Sequence, residues 1–488
     1  MPPSFQEILE EARLSARALW DYGDGLFNPT VRLGVTGLSR AGKTVFITAL
    51  IHGLTRGGRF PVFEAFDSGR IARARLEPQP DDAVPRFDYE NHVRTLVTER
   101  RWPHSTTDIS ELRLVIDYQR PNGADRSLTL DIVDYPGEWL LDLPLLNKSF
   151  EQWSAESLAL SREGPRQALA SPWHAHLATL TADARADEQA ALTSARLFTD
   201  YLSACRDERF AMSLLPPGRF LMPGNLANSP ALTFAPLDVP AGGSAPEGSL
   251  WAMMVRRYEA YKDVVVRPFF RDHFARLDRQ IVLVDALAAF NSGPEALHDL
   301  EAALAGILDC FRIGRATFFS SLFRPRIDRI LFAATKADHL HHSSHDRLEA
   351  ILRRIVARAA ARAEHEEAAI DVVALAAVRA TREATVARGR DKLPSILGTP
   401  AAGESANGEF FDGETEVATF PGDLPADPEA MFKGDGFRGL ASAPSEKADY
   451  RFLRFRPPRL EREGGAEPAL PHIRLDRALQ FLIGDRLQ

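Results

Sequence analysis

The fold is decided by the stretch Val31-Arg-Leu-Gly-Val-Thr-Gly37-Leu-Ser-Arg-Ala-Gly42-Lys43-Thr44, which runs on into Val45-Phe-Ile-Thr-Ala-Leu-Ile51. It predicts a short buried strand, a turn of the form G-x-x-x-x-G-K-T, and a helix. The two glycines let the backbone curl so that successive N–H groups point at one anion, and the helix adds the positive end of its dipole. We therefore expect a phosphate site at residues 37–44, called the phosphate loop below. An ordinary glycine turn is the alternative.

Two side chains of the phosphate loop have expected roles. Lys43 would reach the β- and γ-phosphates of a nucleotide, and Thr44 would place its hydroxyl on Mg²⁺. The other nucleotide contacts expected from this stretch are at Gly37, Ser39, Arg40, Ala41, Gly42 and Val45.

The composition limits the classes of protein to consider. At 488 residues the chain is too long for one hydrophobic core, which predicts two or three domains. A formal net charge of -8 argues against bulk nucleic-acid binding, because such binding needs a basic surface. Cys205 and Cys310 are too few for a disulfide framework and suit a reducing compartment. We see no membrane-spanning apolar run and no signal-peptide pattern, so we expect a cytoplasmic protein without a transmembrane segment.

Strands and helices alternate around the phosphate loop. Residues 111–118 and 127–133 predict a hairpin, and further strands are predicted at 280–284, 329–334 and 370–375, with helices between them. This alternation predicts an α/β fold with a doubly wound, mostly parallel sheet that binds its ligand at the carboxyl ends of the strands.

The same pass along the chain predicts five segments. An N-terminal amphipathic helix is expected to dock on the main body, with a membrane surface or a partner helix as alternatives. The core domain is interrupted by a mainly helical insertion and followed by an extension with short strands and a closing helix. The predicted boundaries are 1–30, 31–137, 138–277, 278–381 and 382–488.

A second phosphate-side motif follows the hairpin. Asp134-Tyr-Pro-Gly137, called the D-x-x-G loop below, ends the second hairpin strand. Asp134 could hold Mg²⁺ through water, and the Gly137 N–H could meet a γ-phosphate. A simple turn is the alternative. Just before the hairpin, Thr106 is the first choice for a threonine on Mg²⁺, and Thr107 is the second.

Base recognition is expected from Thr335-Lys336-Ala337-Asp338, called the base loop below. A carboxylate at Asp338 can accept the ring N–H and the exocyclic amine of guanine, and the Lys336 stem can cover the base. GTP is therefore the favoured nucleotide, and a solvated Lys/Asp pair is the alternative. At the end of the last predicted strand, Ala377 and Val378 could offer a backbone N–H to the guanine oxygen.

Two features bear on hydrolysis. Glu138 could orient the attacking water or could face solvent. Arg101, or its neighbour Arg100, could act as an arginine finger in cis, against an exposed salt bridge as the alternative.

A histidine-rich stretch follows the base loop and contains His339, His341, His342 and His345. The sequence offers these histidines no carboxylate or cysteine at a recognisable ligand spacing, so a metal site is disfavoured.

These motifs, in this order, resemble the YcjX-like family of bacterial stress proteins. The resemblance rests on the phosphate loop, Arg-Trp-Pro at 101–103, Asp-Tyr-Pro-Gly-Glu-Trp-Leu at 134–140, the base loop, and Val-Arg-Ala-Thr at 378–381. It implies a cytoplasmic P-loop GTPase with a Ras-like sheet, helical insertions, and a link to envelope or phage-shock stress. Thr335 stands where many GTPases have asparagine, which predicts a weaker tie between the base loop and the phosphate loop.

We therefore expect a stress-related guanine-nucleotide switch that binds GTP or GDP with Mg²⁺ and hydrolyses GTP slowly. An unknown protein partner is expected, with a membrane-associated stress component at the inner membrane as one candidate. An ATPase or kinase is one alternative, and a non-catalytic, nucleotide-gated interaction protein is the other.

Overall fold

The computed structural model describes residues 29–38, 40–104, 107–227, 229–240, 242–313, 327–361, 368–388, 391–406, 408–432, 452–460 and 468–488. Ser39, Thr106 and all but the end of the predicted N-terminal helix lie outside these residues. Among the described residues, no helix is both long and apolar enough to cross a membrane.

A seven-stranded sheet organises the chain. Its strands are β1 (Thr30–Gly37), β2 (Ile71–Glu77), β3 (Ser110–Gln119), β4 (Asp125–Asp134), β5 (Arg279–Val284), β6 (Arg329–Ala334) and β7 (Ala369–Ala374). They lie side by side in the order β2-β3-β4-β1-β5-β6-β7. β4, β1, β5, β6 and β7 are parallel neighbours, and β3 runs antiparallel between β4 and β2. The predicted doubly wound, mostly parallel sheet and its hairpin are confirmed.

Helices pack on both faces of this sheet. The α-helices are Lys43–Arg56 (α1), Glu64–Asp67 (α2), Tyr89–Val97 (α3), Phe150–Ser161 (α4), Arg166–Leu169 (α5), Ser171–Leu177 (α6), Glu188–Arg206 (α7), Gly218–Leu221 (α8), Leu250–Tyr261 (α9), Arg267–Asp272 (α10), Ala286–Ser292 (α11), Pro294–Ile313 (α12), His345–Ala361 (α13), Glu429–Phe432 (α14) and Leu475–Ile483 (α15). A 3₁₀ segment, Gly137–Asn147, leads from β4 into the insertion.

Successive side chains of a buried strand belong to different cores, because they point to opposite faces of the sheet. In β6, Ile330 and Phe332 pack into the core shared with the insertion, α12 and α13. Leu331 and Ala333 pack into the opposite core, which includes α1 and α15. This two-sided burial explains why β5 and β6 read as continuous apolar runs.

The insertion contributes an aromatic cluster to the core that it shares with β6, α12 and α13, and a buried ion pair also fastens it to α12. Trp153 stacks on Tyr258 with ring centroids 5.2 Å apart. Arg166 of α5 donates to Asp299 of α12 at 2.5 Å, and both side chains are at least nine-tenths buried. Because separating one partner would leave a buried charge, this contact holds the insertion against α12.

The extension adds small sheets and a closing helix. β8 (Arg382–Arg388), β9 (Asp391–Gly398) and β12 (Val417–Thr419) pair in the order β12-β9-β8, and β10 (Ser405–Ala406) pairs with β11 (Glu409–Phe410). The predicted closing helix is confirmed as α15.

Two further features were not predicted above. The polar, proline-punctuated stretch before residue 100 contains the edge strand β2 and helix α3. The pair Asp412-Gly413 is a typical hairpin signal, but it does not close a hairpin: Asp412 accepts the N–H groups of Glu414 and Thr415 in a local turn. The β10–β11 pair closes before them, at Gly408, whose φ is +83°.

Candidate nucleotide site

The phosphate loop connects β1 to α1 and leaves the start of that helix open. Gly42 has φ +83° and no side chain of the described residues caps α1. Ala41 donates its N–H to Leu38 O at 3.1 Å, which closes the turn. Lys43 folds back over the loop, and its Nζ donates to Gly37 O at 3.0 Å. An uncapped helix start with a lysine above it is a ready-made anion site, so the loop fits a phosphate group.

The D-x-x-G loop lies directly against the phosphate loop. A β-carbon built on Gly137 would lie 2.4 Å from Gly37 O and 3.0 Å from Leu38 N. Only glycine permits this close approach, and glycine is the residue that the D-x-x-G motif has at position 137. The two motifs are almost 100 residues apart in the chain, yet the register of β1 on β4, with Val35 opposite Asp134, brings them together.

The expected Mg²⁺ ligands occupy suitable places on the described chain. Thr44 is the second residue of α1 and is 5% exposed, and Asp134 ends β4 and is 1% exposed. Hydroxyl and carboxylate oxygens are the donors that Mg²⁺ prefers, so these two residues fit the ion. The third expected ligand, Thr106, lies outside the described residues, as does Ser39.

The base loop follows β6 on the same edge of the sheet. Thr335 donates its N–H to Val284 O at 2.9 Å, and its hydroxyl lies 3.3 Å from the same oxygen. Thr335 thus fastens the base loop to the end of β5. Lys336 has φ +59° and pairs with Asp285, which also caps α11 by accepting Ala288 N–H.

The carboxylate of Asp338 is oriented by the segment after β7. Asp338 is 3% exposed, and its Oδ2 accepts the N–H of Ala380 at 2.7 Å. Thr381 Oγ1 donates to the carbonyl oxygen of Asp338. Ala377 and Val378, the other predicted base contacts, lie on this same segment and are buried. The two predicted parts of the base site are therefore joined by hydrogen bonds.

A cavity of about 210 Å³ opens between the phosphate loop and the base loop, and both Arg40 and Lys336 line it. Arg40 pairs with Glu208, which follows α7 of the insertion. Arg454 of the extension also reaches Glu208, at 3.0 Å, and Glu404 at 2.7 Å. The insertion and the extension therefore meet at the rim of the phosphate loop.

The residues proposed for hydrolysis differ in exposure. Glu138 is 5% exposed, which contradicts the solvent-facing alternative, and its Oε2 has no hydrogen-bond partner among the described residues. Arg101 pairs with Glu99, and its side chain is 70% exposed. Arg100 donates to Pro457 O at 3.3 Å. Either arginine would have to leave these partners to act as a finger.

The sequence did not reveal that later parts of the insertion pack against the 3₁₀ segment that follows the D-x-x-G loop. Asp142 accepts the N–H of Gly218 at 2.6 Å and the hydroxyl of Tyr261 at 2.6 Å. A β-carbon on Gly218 would lie 2.0 Å from Glu138 O. Complete burial raises the pKa of Asp142 to about 6, against the hydrogen bonds that lower it.

Arg219 adds a contact to the same 3₁₀ segment, through Trp139. Its guanidinium lies 3.2 Å from the ring centroid of Trp139, and the residue is 9% exposed. Among the described residues it has no carboxylate ion pair, only a contact to Pro223 O at 3.4 Å. Burial lowers its pKa, opposed by the neighbouring Tyr261, Asp142 and Asp108. The only sequence signal was a Pro-Pro-Gly-Arg turn, which reads as an ordinary loop.

The sheet order, the phosphate loop and the two loops beside it define a Ras-like P-loop protein. A family model described as "YcjX-like family, DUF463" matches residues 31–487, and the chain belongs to that family. One relative, the Ras-like GTPase YcjX of Escherichia coli K12, is 36% identical over 474 residues, which cover 94% of this chain and 96% of the relative. The Ras-like GTPase YcjX of Shewanella oneidensis is 33% identical over 489 residues, which cover 94% and 95%.

Proposed function

We propose that this protein binds GTP and GDP with Mg²⁺ and hydrolyses GTP slowly, as a molecular switch. The observation that carries the proposal is the packing of Gly137 against Gly37. It sets a backbone N–H of the D-x-x-G loop beside the phosphate loop, where a γ-phosphate can be sensed. The two relatives that are called Ras-like GTPases support the same activity.

The chain's own groups would act by positioning and by charge. The N–H groups of the phosphate loop and Lys43 would hold the phosphates and stabilise charge on the transferring group. Thr44 and Asp134 would hold Mg²⁺, which would supply positive charge beside the phosphate oxygens. Glu138 would hold the attacking water, because its buried Oε2 is an acceptor with no hydrogen-bond partner among the described residues.

The preference for guanine would rest on Asp338. Its carboxylate is oriented by Ala380 N–H and buried, so its hydrogen bonds to a base would be made in a water-poor environment. Adenine does not present two donors in that arrangement. Lys336 would cover the base with its stem after leaving Asp285.

Slow turnover is part of the proposal. Because Arg101 pairs with Glu99 and Arg100 donates to Pro457 O, neither candidate is placed as a finger, and we expect a turnover on the order of 10⁻² s⁻¹ or slower. We also propose the sequence-derived division at 1–30, 31–137, 138–277, 278–381 and 382–488, and a stress-linked role in the cytoplasm or at the inner membrane, with a protein partner.

The test compares fluorescent GTP, GDP and ATP analogues for binding and then measures phosphate release. We expect guanine nucleotides to bind preferentially, and Mg²⁺-dependent release to fall roughly 10²-fold or more in Lys43→Ala. Lys148→Ala, a paired lysine of the insertion, is the control. Equal ATP binding would favour an ATPase or kinase. Tight GTP binding with no release above Lys43→Ala would make the protein a non-catalytic switch.

A further inference from the structure

Two surface histidines and a carboxylate meet beside the base loop. His341 and His342 follow β6, and Glu383 belongs to β8. One ligating atom from each lies within 4.8 Å of the other two. His342 Nδ1 is 2.9 Å from Glu383 Oε2, and the two imidazole rings have centroids 4.2 Å apart. No carboxylate stands at a recognisable ligand spacing from these histidines in the sequence, and the fold supplies Glu383 from a distant strand.

The other two histidines of the stretch do not belong to this cluster. His339 is 8% exposed and packs edge-on against Phe455 with centroids 5.2 Å apart. His345 is 6% exposed and lies 3.3 Å from Leu340 O. Burial lowers the pKa of both imidazoles. The four histidines therefore divide into a buried pair, His339 and His345, and a more accessible pair, His341 and His342, whose ring nitrogens group with the Glu383 carboxylate.

We propose that His341, His342 and Glu383 bind one Zn²⁺ ion. Two imidazoles and one carboxylate suit zinc, whereas Mg²⁺ and Ca²⁺ prefer sites made of oxygen donors. Three protein ligands would leave a fourth position for water. Around tetrahedral zinc, with bonds of about 2.0 Å, neighbouring ligand atoms are about 3.3 Å apart. His342 and Glu383 therefore need only a small separation to admit the ion.

Neighbouring groups orient the proposed ligands. Ser343 Oγ lies 2.9 Å from His341 Nδ1. The Ser343 N–H also donates to His341 Nδ1, at 3.4 Å. Zinc binding through His341 Nε2 would therefore require the tautomer in which Nδ1 carries the proton and donates it to Ser343 Oγ, because only then is the Nε2 lone pair left for the metal. Arg379 Nη2 lies 3.7 Å from Glu383 Oε1, the oxygen that does not face His342. The second carboxylate oxygen, Oε2, therefore stays directed at the histidines.

The position of the site gives it a structural consequence. Its ligands lie on the same two segments that Asp338 joins through Ala380 and Thr381. A zinc ion would add a further link between them, three to four residues from Asp338. Two ligands that bind the same conformation of a protein raise each other's affinity. If the linked arrangement of these segments also binds the base, zinc is expected to increase the affinity for guanine nucleotides. This consequence rests on the proposed function, whereas the metal site itself does not.

The first experiment titrates ZnCl₂ into the full chain after dialysis against a chelator, followed by calorimetry and by metal analysis. We expect one site that is weakened roughly tenfold or more in His342→Ala and in Glu383→Gln. His298→Ala removes an exposed histidine of α12 and is the matched control. Unchanged zinc affinity and stoichiometry in both site variants, or equally tight binding of Mg²⁺ at this site, would overturn the proposal.

The second experiment measures the affinity for fluorescent GDP with and without saturating zinc, in excess Mg²⁺. We expect zinc to increase the affinity of the wild-type chain and to leave that of Glu383→Gln unchanged. An equal response in both would overturn the coupling. If no guanine nucleotide binds at all, the proposed function fails, while the zinc titration still decides the metal site.

Discussion

Gly137 lies so close to Gly37 that a β-carbon on Gly137 would come within 2.4 Å of the Gly37 carbonyl oxygen. Two backbone segments from different strands therefore touch with no side chain between them, at the end of the sheet where the phosphate loop begins. A ligand that moves one of these two backbone segments must therefore also displace the other. In the proposed function, this contact would let the D-x-x-G loop report the state of the phosphate loop.

Gly137→Ala tests that contact. The added methyl group would push the D-x-x-G loop off Gly37, so we expect a loss of the difference in protease sensitivity between the GDP and GTP-analogue states, and slower phosphate release. Gly306→Ala is the control, because a β-carbon there meets no atom within 4 Å and alanine favours its helix. A variant that keeps both the protease difference and the wild-type turnover would show that the close approach has no function.

Asp338→Asn tests base recognition. The asparagine oxygen can still accept Ala380 N–H, so the loop should keep its shape, but its amide group turns an acceptor into a donor. We expect the affinity for GTP to fall about 10- to 100-fold, the equivalent of losing a hydrogen bond to a charged group, and xanthosine triphosphate to bind better. The control is Asp346→Asn, since that carboxylate is exposed and pairs with Arg474 at the surface. Unaltered base preference would remove Asp338 from the site.

Arg219→Ala tests the contact between Arg219 and Trp139, which joins the insertion to the 3₁₀ segment after the D-x-x-G loop. The substitution frees the Trp139 ring but touches neither the phosphate loop nor the base loop. We expect a turnover at least tenfold lower with GDP affinity nearly unchanged, because only the positioning of Glu138 and Trp139 is lost. Arg196→Ala removes an exposed arginine of the same insertion and serves for comparison. Parallel losses in turnover and GDP affinity would instead indicate general unfolding of the site.

Asp142→Asn tests a pH dependence. The pKa of Asp142 in the folded chain, about 6, lies above the ordinary value of 3.8. Between pH 3.8 and pH 6, Asp142 is therefore more protonated in the folded chain than in the unfolded chain. Protonation therefore stabilises the folded state, and the contribution of Asp142 falls as pH rises from 4 to 6, by about 3 kcal/mol in all. The difference in unfolding free energy between wild type and Asp142→Asn should follow this slope and level off above pH 6.5. A difference that rises with pH would contradict the assignment.

Much of the site could be predicted because its motifs are local. The phosphate loop, the D-x-x-G loop and the base loop each need particular residues at fixed short spacings, and each follows a strand that reads as apolar. Since the carboxyl ends of parallel strands share one edge, the gathering of Lys43, Asp134 and Asp338 followed from the strand pattern.

The missed features depend on contacts across long sequence separations. Arg73 and Arg75 give β2 a polar appearance, although its backbone completes the sheet edge beside β3. Gly218 and Arg219 stand in a proline-rich turn whose neighbours are set by the packing of the insertion. Positions such as Gly218 and Arg219 carry no periodic sequence signal, because the residues that they contact are distant in the chain and are brought near only by folding.

The sequence by itself determined the phosphate loop, the hairpin and the doubly wound, mostly parallel sheet, and it pointed to the groups that are proposed to face a nucleotide, because short-range geometry requires glycine, lysine and carboxylate there. Only the tertiary structure decided that Gly137 touches Gly37, that Asp142 and Arg219 join the insertion to the D-x-x-G segment, and that Glu383 reaches two histidines. These contacts arise when separate cores pack on one sheet, and packing places residues together whatever their distance along the chain.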